Sequence, residues 1–263
     1  MTSIDYSSVT EAPGTQVTRE ALDMVWTRYA YAAQQSTGCD VLEVACGAGP
    51  GLGHLATRAR RVVGGDYTFN LLQQARTAYA ARIPLVRLDA HLLPFRDASF
   101  DVVLLYEAIY YLERPDRFLR ECGRVLRPGG RVLICSVNPE WADFNPSPFS
   151  RRYWAAADLD RLLRDAGFEA DVLGAFPVQA ATTRDVLISR IKRAAVAWHL
   201  VPTTMRGKRL LKRLFLGRLV DFPTDVHEGM AEYRAPRPID AAGAAAYKVL
   251  YAAGRLAAAG GAE

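Results

Sequence analysis

The chain has 263 residues, half of them apolar, with 33 Lys and Arg against 28 Asp and Glu for a net charge of +5. That length supports one sizeable α/β core with an insertion better than two equal domains. Four cysteines without metal-ligand spacing, no apolar core of signal-peptide length in residues 1–36 and no apolar run long enough to cross a bilayer argue against a metal module, an exported protein and a membrane-spanning one. The expectation is a cytoplasmic protein with reduced, buried thiols and no bound metal.

In chain order, residues 1–36 read as a helical N-terminal cap, with helical spacing from Thr18 to Ala33. A strand over 40–45 carries Val41, Leu42 and Val44 around an acid, Glu43, and runs into a turn containing Gly47, Gly49 and Gly51 before helical spacing resumes from Leu52 to Ala59. Such a turn lets a ligand lie against bare amides, and the helix start that follows favours negative charge. A second strand, 61–66, ends in Asp66, placed where an acid accepts both hydroxyls of a ribose. The glycine spacing does not fit the nicotinamide fingerprint, because the sixth position is Leu52 counted from Gly47 and His54 counted from Gly49.

Further strands are expected at 84–88, 101–106 and 131–137, a helix over Ala156–Ala166 stopped by Gly167, a sixth strand over Phe168–Phe176 and a last one over Tyr247–Arg255. Strand and helix alternation predicts a doubly wound, mostly parallel, seven-stranded sheet with ligands at the carboxyl ends of its strands. Glu43, Asp66, Asp89 and Tyr106 fall at those ends, and the loop Pro139 to Ser150 is expected to border the same cavity.

Four ordered segments resemble the class I S-adenosylmethionine-dependent methyltransferases, in particular the small-molecule, quinone-biosynthesis-like subgroup (methyltransferase type 11). They are VLEVACGAGPGLG (41–53), the strand closed by Asp66, RLDAHLLPFRDASFDVVLLYEAIYYL (87–112) and FLRECGRVLRPGGRVLICSVN (118–138). The resemblance implies S-adenosylmethionine as cofactor, held by Tyr29, Glu43, Ala45, Gly47, Gly49, Asp66, Tyr67, Asp89, Ala90 and Tyr106. It places Asp89 by the adenine amino group and the backbone of Ala90 and His91 beside the adenine ring. Arg28 with Tyr29 is a candidate cover for the methionine carboxylate. The family carries glycine where this chain has Ala45; alanine fits there if its φ stays negative.

Transfer from a sulfonium needs in-line approach and exclusion of water more than acid–base machinery. For a hydroxyl acceptor, candidate catalytic groups are His91, Glu107, Tyr110 and Tyr111, with His227 from the insertion. Wall residues and a structural ion pair are the competing roles for the tyrosines and Glu107, and backbone service to the cofactor is the competing role for His91. A cofactor-binding but non-catalytic partner or regulatory subunit stands as the alternative to an active enzyme.

Domain boundaries follow: a cap at 1–36, a cofactor-binding domain at 37–177 and 241–256, and a basic helical insertion or lid at 178–240. Between Arg184 and Arg218 there are ten Lys or Arg and one acid, Asp185, so this stretch carries +9 and the remainder −4. Apolar residues including Leu187, Ile191, Trp198, Leu211 and Phe215 recur there at helical spacing. A basic amphipathic helix of this type suits an anionic membrane surface, delivering a lipid-linked or anionic substrate at the inner membrane face; a helical lid packed on the domain is the equal alternative. Nucleic acid fits poorly, because the aromatics sit on the apolar stripe. Acceptor identity and oligomeric state are open.

Overall fold

The computed structural model of the chain describes residues 5–178, 219–240 and 242–257. Its elements are β1 (Gln16–Thr18), α1 (Arg19–Gln35), β2 (Asp40–Val44), α2 (Leu52–Ala56), β3 (Arg61–Asp66), α3 (Phe69–Tyr79), β4 (Leu85–Arg87), β5 (Phe100–Tyr106), α4 (Pro115–Val125), β6 (Leu126–Val137), α5 (Ala156–Asp165), β7 (Phe168–Pro177), β8 (Leu219–Asp221), β9 (Arg237–Pro238) and β10 (Tyr247–Leu256).

The main sheet runs β4-β3-β2-β5-β6-β10-β7-β9. Strands β2 to β6 pair in parallel, while β10 runs antiparallel to both β6 and β7. The seven expected strands occupy seven consecutive places, and the two-residue β9 adds an eighth at the edge. A strand that short leaves no periodicity to read. Every residue of β2 is buried because helices cover both faces, which is why it reads as a continuous apolar run and not as an alternation. Val41 and its neighbour Leu42 therefore enter different cores. The first packs with Trp26, Tyr29, Leu52 and Leu104, the second with Val103, Phe118, Leu119 and Ile134.

Helix α1 starts where Thr18 Oγ1 accepts the Ala21 N–H at 3.1 Å with Glu20 in the first turn, and it buries Leu22, Val25, Trp26, Tyr29, Ala30 and Ala33 at helical spacing. Helix α2 ends three residues earlier than expected, because Thr57 and Arg58 bond three residues back, to His54 and Leu55.

The insertion differs from its expected helical character where it is described. Residues 219–240 contain β8 and β9 and no helix, and β8 pairs antiparallel with β1, so the cap contributes a strand to a separate two-stranded ribbon. The basic amphipathic stretch lies outside the described residues. No helix among the described residues is long and apolar enough to cross a membrane.

At the amino ends of the strands, Asp40 accepts from Arg60 at 2.7 Å and Arg127 at 2.9 Å, and Asp101 accepts from Arg127 and from the Asp40 N–H, each at 2.8 Å. The Arg60 bond, joined by Arg127 and Arg61, holds the Asp40 carboxyl down to about 2.

Candidate active site

Because β2, β3, β5 and β6 are parallel, Ala45, Asp66, Tyr106 and Val137 reach the same edge of the sheet, where they line a cavity of about 710 Å³. Tyr6, Thr10, Glu11, Arg28 and Phe222 line it from the N-terminal segment, α1 and the stretch after β8.

The glycine-rich loop turns out of β2 through Ala45, whose φ is +59°. The negative φ under which alanine would fit without strain is therefore not met. The chain reverses there towards Cys46, which donates its N–H to the Gly65 carbonyl at 3.0 Å, and a Cβ on left-handed backbone costs about 1 kcal/mol. Gly47 also has φ +59°, at no such cost, and its N–H donates to Asp66 Oδ2 at 2.8 Å. At Gly51 the Tyr29 ring occupies the space a side chain would need, 1.9 Å from where a Cβ would stand.

Two expected cofactor residues stand behind the cavity wall and do not line it. Gly49 faces Leu52 and Tyr79, and its carbonyl accepts the Tyr79 hydroxyl at 2.6 Å. Glu43 is 1% exposed; its Oε1 accepts the Tyr29 hydroxyl at 2.8 Å, and its Oε2 has no partner. Burial pushes the Glu43 carboxyl up to about 8. The strand-end position was legible, but not the side of the loop to which each residue turns.

Asp66 lines the cavity and holds two backbone donors, the Gly47 N–H and, through Oδ1 at 2.7 Å, the Thr68 N–H. Burial raises its carboxyl above the ordinary value. Tyr67, Asp89, Ala90 and His91 continue the same wall. Asp89 Oδ1 takes the His91 N–H at 2.9 Å and its Nδ1 at 2.6 Å, while His91 Nε2 accepts the Arg114 N–H at 3.2 Å. Both imidazole nitrogens are thus engaged: Nδ1 carries the hydrogen and the Nε2 lone pair is taken.

Towards the other end, Glu107 also has a left-handed backbone, φ +50°. Its Oε2 accepts from the Tyr110 hydroxyl at 3.2 Å and the Val137 N–H at 3.3 Å, and its Oε1 meets only the Cys135 thiol at 3.9 Å. Arg28 stands 3.9 Å from Glu11. Burial opposes the Arg28 charge, yet Glu107 and Glu11 hold the guanidinium above its ordinary value. Arg28 Nε and the Tyr106 hydroxyl have no partner among the described residues. Tyr110 stacks on Tyr153 with ring centroids 4.5 Å apart, and burial pushes its phenol up. The Tyr111 hydroxyl is 2.6 Å from Ser147 Oγ.

Trp141 brings the Pro139–Ser150 loop to the cavity as expected, whereas Tyr6, Glu11 and Phe222 reach it from segments with no periodicity, and Lys248 from the expected last strand, where nothing in the sequence marked it for the site. His227 is exposed and off the cavity, its Nδ1 3.1 Å from the Glu228 carbonyl. A second hollow, about 1050 Å³, lies towards the opposite strand ends among Arg131, Asp160, Arg164 and Asp171, and holds none of the expected site residues.

The family model described as "Methyltransferase domain" matches residues 42–134. A Mycolicibacterium smegmatis protein named a probable S-adenosylmethionine-dependent methyltransferase is 40% identical over 155 residues, covering 56% of this chain and 59% of the relative. A demethylmenaquinone methyltransferase of Streptomyces avermitilis is 30% identical over 182 residues, covering 67% of this chain and 78% of the relative. The chain spans little more than half the length of the first curated relatives it matches. The crystal structure of a SAM-dependent methyltransferase from Archaeoglobus fulgidus shares the fold, with a TM-score of 0.56 at 15% identity over 90% of this chain and 94% of that one.

Proposed function

Given that the chain belongs to the class I S-adenosylmethionine-dependent methyltransferases, we propose that it transfers a methyl group to a small-molecule acceptor with an apolar, lipid-linked body. The observation that carries this is the convergence of Asp66 and Asp89 on one cavity whose other end is walled by Tyr6, Tyr110, Tyr111 and Trp141. Two buried polar atoms on cavity-lining side chains, Arg28 Nε and Tyr106 Oη, have no partner among the described residues, and the loop turns through glycine at Gly47, so the residues present fit a nucleoside sulfonium.

Asp66 would accept the ribose hydroxyls, and Asp89 with the backbone of Ala90 and His91 would meet the adenine. Arg28 would meet the methionyl carboxylate, and Tyr67 would close the open side. When bound, S-adenosylmethionine supplies a methyl group already activated on sulfur. The protein then has to hold the acceptor in line and keep water out, which Tyr6, Glu11 and Phe222 do from above.

Glu107 is the carboxylate placed to take a proton from an acceptor hydroxyl, at Oε1, because Oε2 is already held by Tyr110 and Val137. His91, with both nitrogens engaged, serves the wall. The acceptor reaches the site from an anionic membrane surface through the basic stretch 184–218, where each Lys or Arg near such a surface contributes about 1 kcal/mol. The relative named for demethylmenaquinone supports an apolar acceptor.

Turnover tests the reading. S-adenosylhomocysteine should form from S-adenosylmethionine when membrane extract is the acceptor source, and should not form with Asp66→Ala. Binding without turnover on any extract would leave a non-catalytic partner. Flotation with anionic vesicles tests the membrane part: the full chain should float, and Arg209→Glu with Lys212→Glu and Arg213→Glu should not.

A further inference from the structure

The back of the cofactor loop is gripped by a contact that the proposed chemistry does not use. Tyr79, the last residue of α3, is 3% exposed, and its hydroxyl serves both sides of the loop. It donates to the Gly49 carbonyl at 2.6 Å and accepts the Gly53 N–H at 3.2 Å, spanning the Pro50–Gly51 step. A third partner comes from far along the chain: Asp225 Oδ1 lies 3.0 Å from the same hydroxyl, 146 residues away. Beside it, the Val226 N–H donates to the Pro50 carbonyl at 2.7 Å. Asp225 comes so close that a Cβ on Gly53 would stand 2.0 Å from its carboxylate oxygen, so the glycine at position 53 is required by this approach and not by the loop's own conformation.

The hydroxyl has one hydrogen, which it can give to the Gly49 carbonyl at 2.6 Å or to Asp225 Oδ1 at 3.0 Å. Both acceptors are held against the same donor, so the strap and the loop are tied at one atom. The segment carrying Asp225 also places Phe222 on the cavity and continues from β8, which pairs with β1. One strap therefore touches the loop from behind and the cavity from the front.

We propose that Asp225 and Tyr79 form a latch in which the strap after β8 sets the geometry of the cofactor loop, making both of them positioning residues for S-adenosylmethionine. The inference rests on the methyltransferase reading for the identity of the ligand, but not for the contact itself.

The test uses the full chain with S-adenosylhomocysteine as the calorimetric probe and amide hydrogen exchange without ligand. Asp225→Ala, which removes one contact of the hydroxyl, should weaken binding about tenfold, Tyr79→Phe, which removes all three, at least about tenfold, and both should speed exchange at the amides of residues 47–53. Asp225→Asn, whose amide oxygen accepts from the Tyr79 hydroxyl as the carboxylate does, should stay within about threefold of the unsubstituted chain. Tyr79→Phe keeps the ring's packing and removes only the hydroxyl, which separates positioning from general packing, while the Asn rescue shows that an acceptor and not a charge is needed at position 225. Unchanged affinity and unchanged exchange in folded Tyr79→Phe and Asp225→Ala would overturn the latch, as would an Asn variant as weak as the Ala variant. If the unsubstituted chain does not bind the probe at all, the methyltransferase reading fails, while the exchange rates of residues 47–53 still decide whether the latch exists.

Discussion

The two ends of the central sheet handle charge in opposite ways. At the amino ends, Asp40 and Asp101 are paired with Arg60, Arg61 and Arg127, and each carboxylate has a guanidinium within 3 Å. At the carboxyl ends, Arg28 Nε and the Tyr106 hydroxyl, both on cavity-lining side chains, have no partner among the described residues, and Ala45 and Glu107 on the cavity wall take left-handed backbone. Neither feature marks the site by itself, since Ala80, Ala81 and Ala98 take the same backbone near the amino ends and Ser36 Oγ has no partner among the described residues there. What distinguishes the carboxyl ends is that strain and unmet polar groups surround one cavity, as in a site that takes a ligand.

The contrast breaks most severely at Asp66. Its carboxylate would serve ligand hydroxyls and already holds two backbone N–H groups, so Asp66→Ala should weaken S-adenosylhomocysteine binding at least about 100-fold by calorimetry. The matching change at the other end should do the reverse. Asp40→Ala strips partners from Arg60 and Arg127 and should lower folding stability by about 2 kcal/mol in chemical denaturation, with ligand affinity unchanged.

Acidity sharpens the comparison, because the two ends titrate in opposite senses. The Asp40 carboxyl sits below its ordinary 3.8, so its contribution is present above that pH and is lost as pH falls towards about 2. The Glu43 carboxyl sits above its ordinary 4.5, so the folded protein holds its proton more tightly than the unfolded chain. Its contribution is full below 4.5 and is lost as pH rises towards about 8. Glu43→Gln, which cannot ionise, should flatten the fall in stability between those two pH values, measured by denaturation across the range. The smallest effect belongs to Ala45→Gly, which removes the left-handed Cβ and should raise stability by about 0.5–1 kcal/mol with little change in affinity.

The strands that build the site were legible because burial on both faces writes a continuous apolar run, and because an acid at a strand end has few other reasons to be there. Asp66 and Asp89 line the cavity from such positions, whereas Glu43 stands behind its wall. The sign of φ at Ala45 was not, since it is set by how β2 leaves the sheet and not by the residue's own preference. Nor could the sequence tell that Gly49 and Glu43 turn behind the loop while Gly47 and Asp66 turn to the cavity: both pairs share the same strand-end and turn spacing. The roof was silent for a different reason. Glu11 and Phe222 lie in segments without periodicity and meet Lys248, on the last strand, only through the tertiary fold.

The proposed function requires that the cavity at the carboxyl ends take a nucleoside sulfonium or its demethylated product. Calorimetric titration of the full chain with S-adenosylhomocysteine, and separately with NAD, decides it. Saturable binding of the former in the micromolar range with none of the latter is the predicted result; no heat from S-adenosylhomocysteine at millimolar concentration, or a preference for NAD, would contradict it.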